Sequence, residues 1–110
     1  MKLQIKPLSV NAVWQGKRFK TPEYTKYERD LLLILPNKRY VFSDNAKLKV
    51  RYCFGFSNRN SDLANPEKPF TDILVKKYGF DDRQIYSMIL EKVIVKKGLE
   101  FIDFDIEEII

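Results

Sequence analysis

A group of acidic, amide and lysine side chains falls between residues 62 and 82: Asp62, Asn65, Lys68, Asp72 and the pair Asp81-Asp82. We expect Asp62 just past the end of a strand. Lys68 and Asp72 are expected on one helix face, because residues four apart are neighbours on a helix. We expect Asp81-Asp82 in the turn before another strand. Strand ends and helix starts are rigid places at which carboxylates can be held close together.

The chemistry that these residues favour is hydrolysis of a phosphodiester with a hard metal ion. The chain has no histidine and a single cysteine, Cys53. These counts exclude histidine-based nucleophilic schemes, an intrachain disulfide and a cysteine-rich zinc site. Two or three carboxylates make an oxygen-ligand site for Mg²⁺ or Mn²⁺, which activates water and neutralises charge on a phosphate. Lys68 adds a cation suited to the same developing charge.

Each of these residues also has a purely structural interpretation. The sequence Asn65-Pro66 is typical of a helix N-cap. Lys68 and Asp72 are four residues apart and suit an ordinary pair on a helix surface. Asp81-Asp82 suits a turn, and Asp62 suits a loop cap. Taken one at a time, none of these signals is specific to a site.

The charge distribution indicates a nucleic-acid partner. The chain has 110 residues and a formal net charge of +5. Residues 1–60 carry 13 Lys/Arg against 4 Asp/Glu, a net of +9, whereas residues 61–110 carry 7 against 11, a net of −4. A basic half suits phosphate backbones, and an acidic half suits divalent cations that contact the same phosphates. Trp14 is more often a core anchor than a base-stacking residue.

Length and composition predict one domain over residues 1–110. The first residues lack the apolar run of a signal peptide, and no stretch approaches a membrane span. We therefore expect a cytoplasmic protein with no membrane partner.

Hydrophobic periodicity predicts an α+β domain in the order β-α-β-α-β-β, a mixed sheet with two helices. The first helix is predicted to start with Thr21 as N-cap and Pro22 at the first helical position, and it closes at Pro36-Asn37. The second begins near Asn65-Pro66 and ends at Gly79. Ser9–Lys20 is predicted to be a loop, and Lys97-Gly98 predicts a hairpin between the last two strands. The predicted strands are Lys2–Pro7, Lys47–Ser57, Met88–Lys96 and Glu100–Glu107.

Taken in order, these motifs resemble the RusA-like Holliday-junction resolvases, and the resemblance covers nearly the whole chain. The N-terminal part of the resemblance is Ser9-Val10-Asn11, Trp14, Gly16, Arg18, Thr21 and Tyr24. Its central part is Asp62 to Lys68, Asp72-Ile73-Leu74, Gly79 and Asp81 to Ile85, and the segment Glu91–Ile106 follows the family's final hairpin.

The resemblance implies a homodimeric, Mg²⁺-dependent endonuclease that nicks four-way DNA junctions symmetrically in recombination and repair, in a phage or prophage setting, with Mn²⁺ as a possible substitute. The family's central motif is Asp-x-Asp-Asn-x-x-Lys, followed later by an Asp-Asp pair. Asp62, Lys68 and Asp82 match catalytic positions, Asp62, Asp82 and Asp81 match metal ligands, and Asn65 and Asp72 match supporting positions. The basic residues that would grip DNA phosphates are Lys17, Arg18, Lys20, Lys26 and Arg29.

One position departs from the motif. Ala64 stands where a second metal-binding aspartate is expected, and alanine has no side-chain oxygen to offer. Three explanations are open: water or Asp81 compensates, the protein is a weakened or binding-only relative, or the residue was engineered to trap a complex. The main rival function is thus a DNA-binding module without catalysis. A basic RNA-associated protein is the third hypothesis.

Overall fold

The computed structural model describes residues 1–16, 19–37 and 39–110. Short 3₁₀ turns at Val10–Ala12 and Asp82–Gln84 accompany the helices and strands. In chain order the elements are β1 (Lys2–Leu3), β2 (Trp14–Gln15), β3 (Phe19–Lys20), α1 (Pro22–Ile34), β4 (Leu48–Phe56), α2 (Glu67–Tyr78), β5 (Ile85–Ile94) and β6 (Phe101–Glu108).

These elements confirm the predicted α+β class and the order of the long elements. Four strands form one mixed sheet in the order β1-β6-β4-β5, in which β4 runs parallel to β5 and antiparallel to β6. The predicted loop Ser9–Lys20 instead contains the 3₁₀ turn and a small antiparallel pair formed by β2 and β3. The predicted first strand is shorter than expected, because the chain turns at Ile5, whose N–H donates to the Leu3 carbonyl.

The predicted hairpin between the last two strands is wrong. Strands β5 and β6 both pair with β4 and lie on its two sides. Lys97-Gly98 does mark a turn, with Gly98 at φ 93°, but the connection from Ile94 to Phe101 crosses the end of β4. A turn signal fixes where the chain reverses and leaves open which strands pair. Strand β4 lies between them, with its inner face buried and both of its edges hydrogen-bonded.

Strand β4 places its even-numbered residues in the core and its odd-numbered residues on the opposite face. Leu48, Val50, Tyr52 and Phe54 are completely buried. On this side the ring centroids of Tyr52 and Phe70 lie 5.0 Å apart, in an edge-to-face arrangement. Such aromatic pairs add about 0.5–1.5 kcal/mol beyond the burial of their area. The packing therefore anchors the start of α2 directly on the central strand.

The helix boundaries follow the predicted signals at three of four ends. The Thr21 hydroxyl accepts the Tyr24 N–H as an N-cap, and α1 stops before Pro36. Helix α2 ends at Gly79, which adopts φ 76° and donates its N–H to the Val75 carbonyl. The start of α2 is different, because the residue before it is Pro66 and no side chain caps it.

Within the described residues, neither helix has the length and apolar character needed to cross a bilayer.

The close approach of β4 and β6 generates a stability prediction at Gly55. The ring of Phe101 occupies the space that a Cβ on residue 55 would need. We expect Gly55→Ala to destabilise the fold by about 1–3 kcal/mol in urea unfolding, because the added methyl overpacks this contact. The double variant Gly55→Ala/Phe101→Ala should lose less than the sum of the two single variants. If the stability losses of the two single variants added fully in the double variant, that result would contradict the contact between residue 55 and the Phe101 ring.

Candidate active site

The loop before α2 holds Asp62 against Asn65. The Asn65 side-chain amide donates to Asp62 Oδ2 at 3.3 Å. The Asn65 carbonyl accepts the N–H of Val10 at 2.8 Å, which fixes this loop to the N-terminal segment. The interpretation of Asn65 as a helix N-cap is therefore wrong. Its side chain is directed to the Asp62 carboxylate instead.

Lys68, in the first turn of α2, joins two carboxylates. Its ammonium Nζ lies 2.7 Å from Asp72 Oδ1 and 3.2 Å from Asp82 Oδ2, and all three side chains are about half exposed. The Asp72 pair is the predicted surface pair. The Asp82 contact joins α2 to the turn before β5, and spacing alone does not predict it. Hydrogen bonding to Asp72, reinforced by Asp82, raises the pKa of Lys68, so this ammonium stays charged at neutral pH.

Asp81 performs the turn role that its position suggested. Its carboxylate accepts the Arg83 backbone N–H at 2.9 Å, and Gln84 completes a reciprocal capping box. The Arg83 guanidinium also contacts Asp81 Oδ2, at 3.0 and 3.3 Å. These bonds, led by the Arg83 side chain, lower the pKa of Asp81 to about 2. Both oxygens are thus engaged locally, unlike the Asp82 carboxylate beside Lys68.

Two cavities, each of about 310 Å³, divide the predicted site residues. Lys68 and Asp82 line one of them, and Asp62 and Asn65 line the other. The start of α2 contributes a wall to both, through Glu67 on the first side and Pro66 on the second. The structure therefore brings Lys68 together with Asp82, and Asp62 with Asn65, but does not place the two halves in one cavity.

Glu67 is a candidate residue that sequence reasoning missed. It lines the same cavity as Lys68 and Asp82. Thr71, which is buried, donates its hydroxyl hydrogen to Glu67 Oε2 at 2.7 Å. Because the Thr71 hydroxyl hydrogen is already donated to Glu67, Thr71 Oγ1 acts as the acceptor for the buried Tyr52 hydroxyl, at 2.9 Å. The four-residue spacing of Glu67 and Thr71 could have indicated their contact on one helix face. The contact with Tyr52 could not be predicted in this way, because it depends on the packing of α2 on β4.

The donor set has the right chemistry for Mg²⁺ but is not gathered as the motif implied. In the described part of the chain, no three acidic or cysteine side chains are grouped closely enough to hold a metal ion. Asp62 and Asp82 have the carboxylate chemistry of the expected ligands, but they line different cavities. Asp81 does not fit, because Arg83 occupies it. At position 64, the alanine carbonyl accepts the Glu67 N–H at 3.2 Å, in the turn that leads into α2.

The predicted DNA-binding residues lie around β3 and α1. Lys20 places Nζ 4.6 Å from the Tyr24 ring centroid and 5.8 Å from that of Trp14. Lys26 and Arg29 both contact Asp30, at 2.7 and 3.8 Å. Lys17 and Arg18 lie outside the described residues. Trp14 is 51% exposed, so its interpretation as a core anchor is wrong.

Comparison with protein-family models and with curated proteins gives no match.

The buried hydroxyl pair beneath the site generates a second stability prediction. We expect Thr71→Val to cost about 1–3 kcal/mol, because it leaves the buried Tyr52 hydroxyl without an acceptor. Tyr52→Phe should cost less, about 0.5–1.5 kcal/mol, since Thr71 keeps its bond to Glu67. The measurement is urea unfolding of both single variants and the double variant. A larger loss for Tyr52→Phe than for Thr71→Val would contradict this bond order.

Proposed function

We propose that the chain is a divalent-metal-dependent endonuclease that nicks four-way DNA junctions as a homodimer, in the manner of the RusA-like resolvases that its motifs resemble. The observation that carries the proposal is the contact of Lys68 with both Asp72 and Asp82 at the start of α2. Three residues of the resemblance motif, separated by up to 14 positions in the sequence, meet at one ammonium group.

Lys68 supplies a fixed positive charge to the proposed reaction. Asp72 and Asp82 hold its ammonium group in place, and hydrogen bonding raises its pKa. An ammonium preorganised in this way stabilises negative charge that develops on a phosphodiester under attack. Asp72 is a positioning residue in this scheme, because it acts through Lys68. Asp82 has a double role, as a partner of Lys68 and as a metal ligand.

Asp62 and Asp82, which line separate cavities with the start of α2 as a shared wall, would be the carboxylates that bind metal. Bound Mg²⁺, or Mn²⁺ in its place, would activate water and neutralise charge on the phosphate. Asn65 orients the Asp62 carboxylate through its amide. Glu67 shares a cavity with Asp82 and is better placed than Asp81 to offer an additional oxygen, because Arg83 already occupies Asp81.

The proposed DNA surface combines basic and aromatic side chains near this site. Lys20 is exposed beside Trp14, and Lys26 and Arg29 lie on α1. Lysine and arginine neutralise phosphates whatever the sequence, and an exposed indole suits stacking on an unpaired base. Symmetric nicking needs two related active sites, which a twofold homodimer provides.

A second candidate function is a junction- or DNA-binding relative with weak or no catalysis. Ala64 favours it, since the expected second aspartate is missing. The two candidates agree on the partner and differ on metal-dependent cleavage. A labelled four-way junction, incubated with Mg²⁺ or Mn²⁺, separates them. Single-stranded RNA as competitor tests the RNA hypothesis, and stronger binding to that RNA than to the junction would favour it.

The first functional prediction concerns Asp82. We expect Asp82→Asn to abolish cleavage of a labelled junction while leaving junction binding unchanged or stronger. The substitution removes a charge that binds metal and also repels phosphate. The matched control is Asp44→Asn, an exposed aspartate in the loop before β4, which should cleave normally. Undiminished cleavage by Asp82→Asn would remove Asp82 from the catalytic assignment.

The second functional prediction concerns Ala64. We expect Ala64→Asp to raise metal affinity and to accelerate cleavage tenfold or more, because about 1.4 kcal/mol of transition-state stabilisation is a factor of ten in rate. The new carboxylate should also weaken metal-free junction binding. Cleavage rates are measured against Mg²⁺ and Mn²⁺ concentration for both proteins. A folded, junction-binding Ala64→Asp protein that cuts no faster would show that residue 64 is not the vacant ligand position.

A further inference from the structure

Among the residues that the structure describes, one face of the four-stranded sheet carries no helix. The even-numbered residues of β4 pack into the core, so its odd-numbered residues lie on the opposite side, which we call the open face. The paired residues of β6 lie on the same side, because residues opposite each other in a ladder share a face. The residues that define the open face here are Lys49, Arg51 and Cys53 of β4 and Asp103, Asp105 and Glu107 of β6.

The charges of the open face are arranged in two adjacent columns of opposite sign. Lys49 and Arg51 of β4 stand directly beside Glu107 and Asp105 of β6 in the strand register. The ion pairs that Lys49 and Arg51 form within the chain are loose, because Lys49 lies 4.0 Å from Glu107 and Arg51 lies 3.9 Å from Glu91. Asp103 instead holds the N-terminal ammonium group at 3.1 Å. Asp105 is exposed and forms no ion pair with any described residue. Lys49, Arg51 and Asp105 are thus available to a second surface.

Apolar residues of β5 border these columns. Ile89 and Val93 pair with Arg51 and Gly55 in the parallel register, so they share the open face. Their exposed fractions are 40% and 46%. Parallel strands are normally covered on both sides, whereas the β4–β5 pair has helices on one side alone. The open face therefore combines uncovered apolar surface with charges that complement each other.

We propose that a second copy of this chain packs on the open face, with a twofold axis parallel to the strands and midway between β4 and β6. Rotation by 180° about that axis places β4 of each copy over β6 of the other. It also preserves height along the strands, so Arg51 faces the partner's Asp105, and Asp105 faces the partner's Arg51. The cation column of each copy then meets the anion column of the other, so the same contact occurs twice in the dimer, as an isologous interface requires.

The dimensions of the face suit a small interface with a large electrostatic contribution. Sheets stacked face to face cross at about 30°, so the match is best at the middle of the strands. The Arg51–Asp105 row lies near that middle. The three long strands give a flat face of about 30 Å by 15 Å. A standard interface buries about 800 Å² on each partner, so the area of this face is smaller than that. Charge pairing must therefore contribute, and high salt should weaken the dimer.

This inference deepens the homodimer of the proposed function, and its test uses mass rather than cleavage. Reversing one column, by Arg51→Asp or by Asp105→Arg, places like charges opposite each other twice in the homodimer. We expect each variant alone to run as a monomer of 13.1 kDa in light scattering, and the unchanged protein to run at twice that mass. An equimolar mixture of the two variants should recover the dimer, because both facing pairs are then of opposite charge.

The mixture separates an interface from a structural effect within one chain. Arg51 and Asp105 are also neighbours across β4 and β6, so a double variant would repair an intrachain pair as well. In the mixture each chain keeps its own like-charged pair, and only the contact between chains is repaired. Arg39→Asp, a reversal at an exposed residue beside Tyr40 in the loop after α1, is the control and should leave the mass unchanged. Circular dichroism verifies that every variant is folded.

Cys53 gives an independent measurement. It is the single cysteine of the chain and lies on the open face. In the proposed dimer the two Cys53 side chains lie on either side of the twofold axis, about one strand spacing apart laterally, across sheets about 10 Å apart. A short bismaleimide should therefore link two copies covalently, and Cys53→Ser should abolish the link. The cross-link should also fail in the Arg51→Asp variant alone and return when that variant is mixed with Asp105→Arg.

Three outcomes would overturn the inference: an unchanged protein that is monomeric, single variants that remain dimeric, or a mixture that stays monomeric. Junction cleavage by the same preparations keeps this result distinct from the proposed function. A protein that dimerises and responds as expected but cuts no junction would refute the nuclease and leave the interface standing. A protein that cuts junctions while Arg51→Asp remains dimeric would refute the interface alone.

Discussion

The two-sided character of β4 is the constraint on which the rest of the structure depends. Its even-numbered residues from Leu48 to Phe54 are fully buried, while Lys49, Arg51 and Cys53 lie on the other face. A strand with this alternation must receive helices on one side, because only that side gains from burial. Helix α2 packs there through Phe70, and the opposite face remains available to a partner. The site and the proposed interface are thus consequences of one strand.

The candidate site is coupled to this core through polar contacts as well as packing. The Tyr52 hydroxyl, on the buried side of β4, bonds to Thr71, which bonds to Glu67 at the cavity that Lys68 and Asp82 line. This buried hydrogen bond fixes the position of α2 along β4 and its rotation about its own axis. Any other placement of the helix would leave a buried hydroxyl without a hydrogen-bond partner, which is costly. The candidate site residues on the first turn of α2 are therefore positioned by the central strand.

The acidic residues of the site differ in what surrounds them, although the sequence presents them alike. Asp81 is held by Arg83 and its own turn, which lowers its pKa to about 2. Asp82, the next residue, instead projects to Lys68 on another element. Two adjacent aspartates therefore serve different purposes, one in maintaining a turn and one in joining α2 to β5. This difference favours Asp82 over Asp81 as a metal ligand in the proposed mechanism.

The sequence by itself determined the local features: the α+β class, the Thr21 cap of α1, the Gly79 end of α2, and the surface pair of Lys68 with Asp72. Each depends on residues within one or two turns of chain, where propensity and spacing are sufficient. Only the tertiary structure decided that β4 separates β5 from β6 and that Lys68 reaches Asp82. It also decided that the Asn65 amide is directed to Asp62 rather than to a helix cap. Those outcomes depend on which strand gains most from the central position, and that competition among distant segments leaves no short-range pattern in the sequence.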